Sequence, residues 1–320
     1  MAKEKYCIFH VQGGLGKHIA ATAVAKCIKN NHPHRKLIVV GVWTDVFMNL
    51  PFIDRVYQLG NTSYFYQTYI ENQDSLIFHN EPYFTTDHIH KRLPLIQTWC
   101  KMYGLDYKGE MPELKFNPLQ KKIAKEVWER EGKPVMVIHT NGGMITPDAK
   151  PYMWARDMPI DIAQEIVDRY HKDYTIYQCT KMNSAKVVNA HTIEFNEEMQ
   201  LSTMEFLSII LHSEKRILID SCLQHAAAAL KLPSLVLWNG TSPKVFGYDM
   251  HTNVETIKPH NFKLPGSYLF DFDFNGPEHE YPFDSDEDLY DKEKIFEYLG
   301  ESKSGTDNGE SKGIVTKINK

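Results

Sequence analysis

The sequence has no excess of positive charge, no paired cysteines and no long apolar run, and each absence removes a class of protein. Its 36 Lys and Arg against 41 Asp and Glu give a net charge of −5. General affinity for nucleic acid, which needs a basic face, is therefore not expected. The five cysteines (Cys7, Cys27, Cys100, Cys179 and Cys222) are scattered, with no CxxC among them. An odd, dispersed set favours reduced thiols in a cytosolic protein over a disulfide framework or a zinc site. No stretch approaches the ~18 consecutive apolar residues of a membrane span. The opening MAKEKYCIFHVQGG is too short in apolar residues to read as a signal peptide. The expectation is a cytoplasmic protein without a transmembrane segment.

What is present is enough material for two cores. A chain of 320 residues, 42% hydrophobic and 24% charged, suggests two domains, each of about 120–160 residues. The first half opens with an apolar strand at Tyr6–Val11, a glycine turn (Gln12-Gly13-Gly14-Leu15-Gly16) and an Ala-rich helix from Lys17 to Asn30. A second strand spans Lys36–Val42, and Asn49–Tyr57 reads as a turn and a short strand. Tyr64–His79 is aromatic and polar and fits no element clearly, whereas Ile89–Tyr103 reads as a helix. The second half repeats the plan: helix Lys121–Glu131, strand Pro134–His139, glycine turn Thr140-Asn141-Gly142-Gly143, helix Met158–Tyr170, strand Asp173–Cys179 and helix Thr203–His212. Alternating strands and helices predict an α/β fold with two Rossmann-like parallel-sheet domains facing a cleft.

The most informative segment is Ile217–Pro243, ILIDSCLQHAAAALKLPSLVLWNGTSP. An apolar strand ends in Asp220-Ser221, a small-residue helix runs to Leu230, and a second strand, Ser234–Trp238, ends in Asn239-Gly240-Thr241. Ligands of open parallel sheets bind at such strand ends, because helix N-termini offer unpaired N–H groups and partial positive charge to an anion. The Ala226–Ala229 run implies a helix pressed so close to its surroundings that only methyl groups fit. A phosphorylated ligand is expected here.

This segment resembles glycosyltransferase family nine, the heptosyltransferases, which carry D-[ST]-G-x-x-H followed by an Ala-rich helix. The matching residues are Asp220-Ser221-Cys222-Leu223-Gln224-His225 and Ala226–Leu230, continuing through Leu232-Pro233, Gly240–Pro243 and Phe246-Gly247. Thr140–Gly143 with Lys150 and Trp154, the short helix before the Asp-Ser strand, His32-Pro33 and Leu50–Val56 also fit; the likeness spans residues 5–250. It implies the two-domain GT-B architecture: an acceptor-side domain over 1–117, a nucleotide-sugar domain over 118–260, and a segment 261–299 returning to the first domain. The polar stretch 300–320 reads as a disordered tail. Three departures stand out. Lys17 occupies the position after Gly16 where the family has the Asp presumed to be its base. Cys222 replaces a glycine, and no acid for the donor ribose lies near Gln178–Lys181. Gly13–Gly16 also resembles the GGLGNQ turn of GDP-fucose-dependent transferases, which leaves the donor open.

Transfer from a nucleotide sugar needs the leaving diphosphate stabilised, the acceptor hydroxyl deprotonated and water excluded. Backbone amides at Ser221–Leu223 and Thr140–Gly143 are expected to supply the first, with Lys150 or Arg156 as a mobile cation; the bland alternative for both is a solvated surface charge. Donor contacts are accordingly assigned to Gly13, Gly14, Gly16, Lys17, Thr140, Asn141, Gly142, Lys150, Arg156, Asp220, Ser221, Cys222 and His225. Asp220 could instead cap the next helix, and His225 could be a buried histidine bonded to backbone. The glycine turn lacks the first glycine of a Walker A loop, and Gly14-x-Gly16 is followed by Ile19, so neither a kinase nor a dehydrogenase is favoured. For the base, His18 at the helix start comes first and Asp87 with His88 second; His10 is read as core and Asp87 alternatively as a helix cap. Asp271–Pro282 fails as a calcium loop, because its twelfth position is Pro282 rather than Glu. With no DxD motif in the cleft turns, no metal or cofactor is expected.

The function expected is metal-independent, inverting transfer of a sugar from a nucleotide-diphosphate sugar to an acceptor hydroxyl. The acceptor could be a glycan, a lipid-linked sugar, a protein or a modified DNA base. Two rivals remain: a catalytically inactive nucleotide-sugar or carbohydrate-binding protein, and a nucleotide-sugar epimerase of the same architecture.

Overall fold

The computed structural model describes residues 3–143, 155–194, 201–257 and 289–302. Strand β1 (Lys5–Val11) leads through a glycine turn into helix α1 (Leu15–Asn31). Strand β2 (Lys36–Gly41), the single turn α2 (Asp45–Met48), β3 (Arg55–Gln58), α3 (Phe65–Tyr69) and β4 (Asp74–Phe78) follow. A 3-10 turn at Pro82–Phe84, α4 (Thr86–Ile89) and α5 (Leu95–Met102) complete the first lobe. Its four strands are parallel in the order β3-β2-β1-β4. Alternation along β1 explains the layering. Cys7 and Phe9 point to a core shared with α1 and α5, and Tyr6 and Ile8 to a smaller one closed by Tyr69, Tyr57 and Phe65.

The second lobe starts at α6 (Pro118–Trp128), whose entry is set by a capping box between Asn117 and Gln120 with Pro118 in the first turn. Then come β5 (Val135–His139), α7 (Ile160–Tyr170), β6 (Thr175–Thr180) and β7 (His191–Glu194). Helix α8 (Thr203–His212) carries a second capping box, Ser202 with Glu205, and leads into β8 (Ser213–Ile219). After it stand α9 (Cys222–Ala229), β9 (Leu235–Trp238), α10 (Pro243–Phe246), β10 (Thr252–Glu255) and α11 (Lys292–Leu299). The six strands are parallel in the order β10-β9-β8-β5-β6-β7. The fold class expected from the alternation is therefore the one observed: two parallel-sheet α/β lobes.

The lobes share one continuous apolar cluster. It joins Ile19, Ala20 and Ala23 of α1 to Leu223, Ala226 and Ala227 of α9 and to Val137, Leu218 and Val236 of the second sheet. Helices α1 and α9 pack directly on one another, which accounts for the Ala run: larger side chains would push the lobes apart. The connector between α5 and α6 is also fastened to α1, with Asp106 N donating to Asn31 Oδ1 (2.9 Å) and Glu113 N to Thr22 Oγ1 (2.9 Å).

One expectation about the chain's path is corrected. The part of 261–299 that the structure describes packs on the second lobe, not the first. Ile295 and Leu299 of α11 join Leu289, Tyr290 and Val254 in the core beneath α7. Lys215 Nζ reaches Tyr298 O (3.3 Å) and Ile257 N donates to Leu289 O (3.0 Å). Ile295 and Leu299 share this core with Ile217 and Ile219 of β8, Leu235 and Leu237 of β9 and Val254 of β10. The calcium-loop segment and most of the 300–320 tail lie outside the described residues. Among the described residues no helix is long and apolar enough to cross a membrane.

Candidate active site

Because every strand in a lobe runs the same way, each lobe gathers its strand-end turns on one side. The turns that follow β1, β5 and β8 come together. A Cβ placed on Gly16 would stand 2.9 Å from His225 Cδ2, 3.2 Å from Cys222 Cα and 3.3 Å from Cys222 N. The first turn of α1 therefore rests on the first turn of α9, across the lobe boundary, at a position where only glycine fits. A Cβ on Gly142 would stand 2.8 Å from Ser221 Oγ, so the β5 and β8 turns are equally close. Neither α1 nor α9 has a side-chain cap or an acidic residue in its first turn. Two unneutralised helix N-termini thus meet at one place, and both favour negative charge there.

Arg156 adds a full charge. Its Nη1 donates to Asp220 O (3.4 Å), and its Nη2 lies 3.2 Å from where a Cβ on Gly143 would stand, a glycine at φ +102. Asp220 is buried, and burial pushes its carboxyl up from the ordinary range against the pull of Arg156 and the Thr241 hydroxyl. Ser221 stands at the N-cap, its own N–H donating to Ile219 O (2.7 Å) and so spent within the turn. The Cys222 thiol lies against the Cys222 and Leu223 amides. Burial pushes it up to about 11, opposed by Ser221, those amides and Arg156. His225 is buried and accepts from or donates to Tyr248 OH at 2.7 Å. Its pKa is lowered to about 3 by burial first, then by His251 and Arg156, so the ring is neutral.

Several sequence-predicted contacts turn out to be scaffold. Thr140 N donates to Cys179 O (3.0 Å), and Gly142 N donates to Asp157 Oδ1 (3.0 Å). Asn141 Nδ2 donates to Asp157 Oδ2 (3.0 Å), while Asn141 Oδ1 accepts from Thr180 Oγ1 (2.8 Å). The amides of Thr140 and Gly142 and the Asn141 side chain are therefore spent within the protein rather than offered to a ligand. Their organiser, Asp157, is 0% exposed and is paired with Lys181 Nζ at 3.3 Å, which also reaches Gly142 O (3.3 Å). Sequence reasoning missed both. At the end of β6, where the family resemblance implies an acid, stands this buried lysine.

The expected bases move as well. His18 does not sit at a cleft mouth: it is 0% exposed, its Nδ1 3.0 Å from Gly14 O and its Nε2 accepting from Val42 N (3.0 Å). Burial lowers its pKa to about 4. With both ring nitrogens bonded to backbone, it ties the β1 turn to the β2 turn and cannot take a proton from an acceptor. Asp87 turns toward α5, where Lys101 Nζ donates to its Oδ2 (2.6 Å), and the cap of α4 is Thr85 rather than Asp87. Its neighbour His88 is buried with its ring 5.1 Å from Tyr83 and 5.7 Å from Phe246, a second contact between the lobes. Lys17 does not point at the α9 terminus either. It is ion-paired with Glu81, over the rings of Tyr83 (4.9 Å) and Trp99 (5.6 Å). Burial lowers its pKa, and Glu81 opposes the fall. Gly13 (φ +94) and Gly14 shape the turn, Gly14 as the N-cap of α1. His10 is half-buried, with its ring 5.2 Å from His79. Lys150 and Trp154 lie outside the described residues.

Among the described residues, no three His, Cys, Asp or Glu side chains gather as a metal ion would require. No family model matches the chain, and no curated protein matches it in sequence. Solved structures do match in shape. A family 9 glycosyl transferase from Veillonella parvula aligns with TM-score 0.58 at 12% identity, over 79% of this chain and 86% of its own. The E. coli ADP-heptose LPS heptosyltransferase II aligns with TM-score 0.58 at 12% identity, over 83% of this chain and 94% of its own. The E. coli heptosyltransferase WaaC, solved with ADP, gives TM-score 0.50 at 9% identity, over 78% and 93%. At such identities the likeness is one of architecture: this chain has the two-lobed GT-B fold of those glycosyltransferases.

Proposed function

We propose that the protein is a glycosyltransferase that moves a sugar from a nucleotide-diphosphate sugar to an acceptor hydroxyl. The observation that carries this reading is the meeting of the α1 and α9 N-termini beside Arg156, in a fold whose neighbours are glycosyltransferases. The diphosphate of the donor lies against the Cys222 and Leu223 amides, with Arg156 as the counter-charge. As the acceptor oxygen attacks the anomeric carbon, the bond from that carbon to the diphosphate oxygen breaks, and charge builds on the leaving diphosphate. Donors already aimed at that charge lower the barrier by a few kcal/mol each, on the order of 3. Attack from the face opposite the leaving group inverts the anomeric centre, and charge stabilisation by Arg156 and helix termini requires no metal. His225, neutral and adjacent to Gly16, closes the donor side against water.

The acceptor is a sugar, lipid-linked sugar, protein or modified-base hydroxyl presented by the first lobe. Because the E. coli neighbours are an ADP-heptose enzyme and one solved with ADP, ADP-sugars head the donors to test, followed by GDP-, UDP- and CMP-sugars. The deciding experiment incubates the protein with each donor, with and without sugar acceptors, and identifies the products. Free nucleotide together with a glycosylated acceptor, or with the hydrolysed sugar, supports transfer. An altered sugar still joined to nucleotide would make the protein an epimerase, and binding without any turnover would make it a binding protein.

A further inference from the structure

We propose that Glu81 is the general base for the acceptor hydroxyl, with Lys17 as the residue that positions it; this rests on the glycosyl-transfer reading above. Strand β4 lies beside β1 and runs parallel to it. The loop after β4, His79-Asn80-Glu81, therefore emerges at the same end of the sheet as the glycine turn. There Glu81 is ion-paired with Lys17, the residue after Gly16, and Gly16 is the point of contact with Cys222 and His225. A carboxylate is thus anchored beside the glycine turn, where a Cβ on Gly13 would stand 3.6 Å from Lys17 Nζ.

Its rivals are otherwise engaged. His18 has both ring nitrogens on backbone, Asp87 faces Lys101, His88 is shut between Tyr83 and Phe246, and Asp220 is buried on the donor side. The Glu81 side chain keeps 32% of its surface, enough to meet an acceptor, whereas Lys17 keeps 9%. Lys17 is held under Tyr83 and Trp99, so its ammonium fixes the carboxylate without competing for substrate. Among the described residues, the charged and titratable groups facing Glu81 are Lys17 from α1 and Tyr103 at the end of α5. The ion pair is made through Oε1, and Oε2 is assigned to the proton. In the step, the acceptor O–H proton passes to Glu81 as the acceptor oxygen bonds to the anomeric carbon. The carbon–phosphate-oxygen bond breaks, and its electron pair leaves on the nucleoside diphosphate.

The test compares wild type, Glu81→Gln, Glu81→Asp and Lys17→Met with ADP-, GDP-, UDP- and CMP-sugars, water serving as the acceptor where no sugar acceptor is used. Nucleotide release and nucleoside diphosphate affinity are both read. Glu81→Gln is expected to lower kcat by about 10²-fold or more, while donor KM and diphosphate Kd stay within about twofold. Glu81→Asp restores part of the rate. Lys17→Met lowers kcat with donor KM and diphosphate Kd within about twofold, because the carboxylate loses the ammonium that orients it. Wild-type turnover matched by Glu81→Gln would overturn the assignment and leave the transferase reading intact. Loss of diphosphate affinity in parallel with rate would make Glu81 merely structural. No turnover of any donor by wild type would overturn both.

Discussion

The two helix starts that meet at the lobe boundary are alike in backbone and different in what surrounds them. Each follows a parallel strand, and each begins without a side-chain cap or an acidic first turn. Side-chain caps stand at α4, α6, α8 and α11, through Thr85, Asn117, Ser202 and Asp291, whereas α5 and α7 also begin without one. At α1, however, the surrounding side chains face inward: His18 is bonded to Gly14 O and Val42 N, and Lys17 is paired with Glu81. At α9 the added charge is Arg156, reaching Asp220 and Gly143 from the neighbouring turn. On the proposed reading, the leaving anion belongs to the second lobe and the proton to the first. Beside the α9 start stands a guanidinium, and beside the α1 start an ammonium–carboxylate pair.

Four substitutions or conditions probe this contrast, the largest effect first. Asp157→Ala leaves the Lys181 ammonium buried without its partner and releases Asn141 and Gly142. It is expected to destabilise the protein by about 3–5 kcal/mol, read as a lowered midpoint in urea unfolding. Gly16→Val forces side-chain atoms into Cys222 and His225 and is expected to cost about 1–3 kcal/mol of overpacking. It should also weaken diphosphate binding, whereas Gly14→Ala, which meets nothing within 4 Å, should leave both unchanged.

The third probe is pH. His18 and His225 are neutral in the fold, with pKa values lowered to about 4 and about 3 from an ordinary 6.5. Below 6.5 the unfolded chain takes up protons that the folded rings refuse, so stability is full above that pH and falls toward pH 4. Urea midpoints measured across this window should decline, and more gently in His18→Asn. A flat profile in the wild type would remove the account of these rings. Smallest of all, Asp87→Asn breaks a pair with an exposed lysine and should change stability by less than about 1 kcal/mol. Turnover should not fall.

How far the molecule could be read from its residues follows the range of the interactions involved. The unit around Asp220–Trp238 is legible because strand, polar turn and small-residue helix are written in consecutive residues. The Ala run correctly implied a helix in close contact. Strand β4 escaped notice because it lies at a sheet edge, with Ile77 55% exposed, and so shows no clean alternation. β7 and β10, each of four residues, end the second sheet at its two edges and were missed for the same reason. The side chains of the site were less legible still. Whether His18 is a base or a brace depends on Val42, and where Lys17 points depends on Glu81, both brought near only by the sheet. Asp157 and Lys181 become a pair only once β5 and β6 lie side by side. A lysine followed by a histidine at a helix start looks like a phosphate site in sequence, and distant partners decide otherwise.

The central claim is that a nucleoside diphosphate is held between the α1 and α9 termini by Arg156 and the α9 amides. Calorimetric titration of ADP, GDP, UDP and CDP into wild type and Arg156→Ala tests it most directly. At least one should bind the wild type and lose about tenfold or more in affinity in the variant, the value of about 1.4 kcal/mol for one charged contact. Binding of none of the four, or equal affinity in the two proteins, would contradict it.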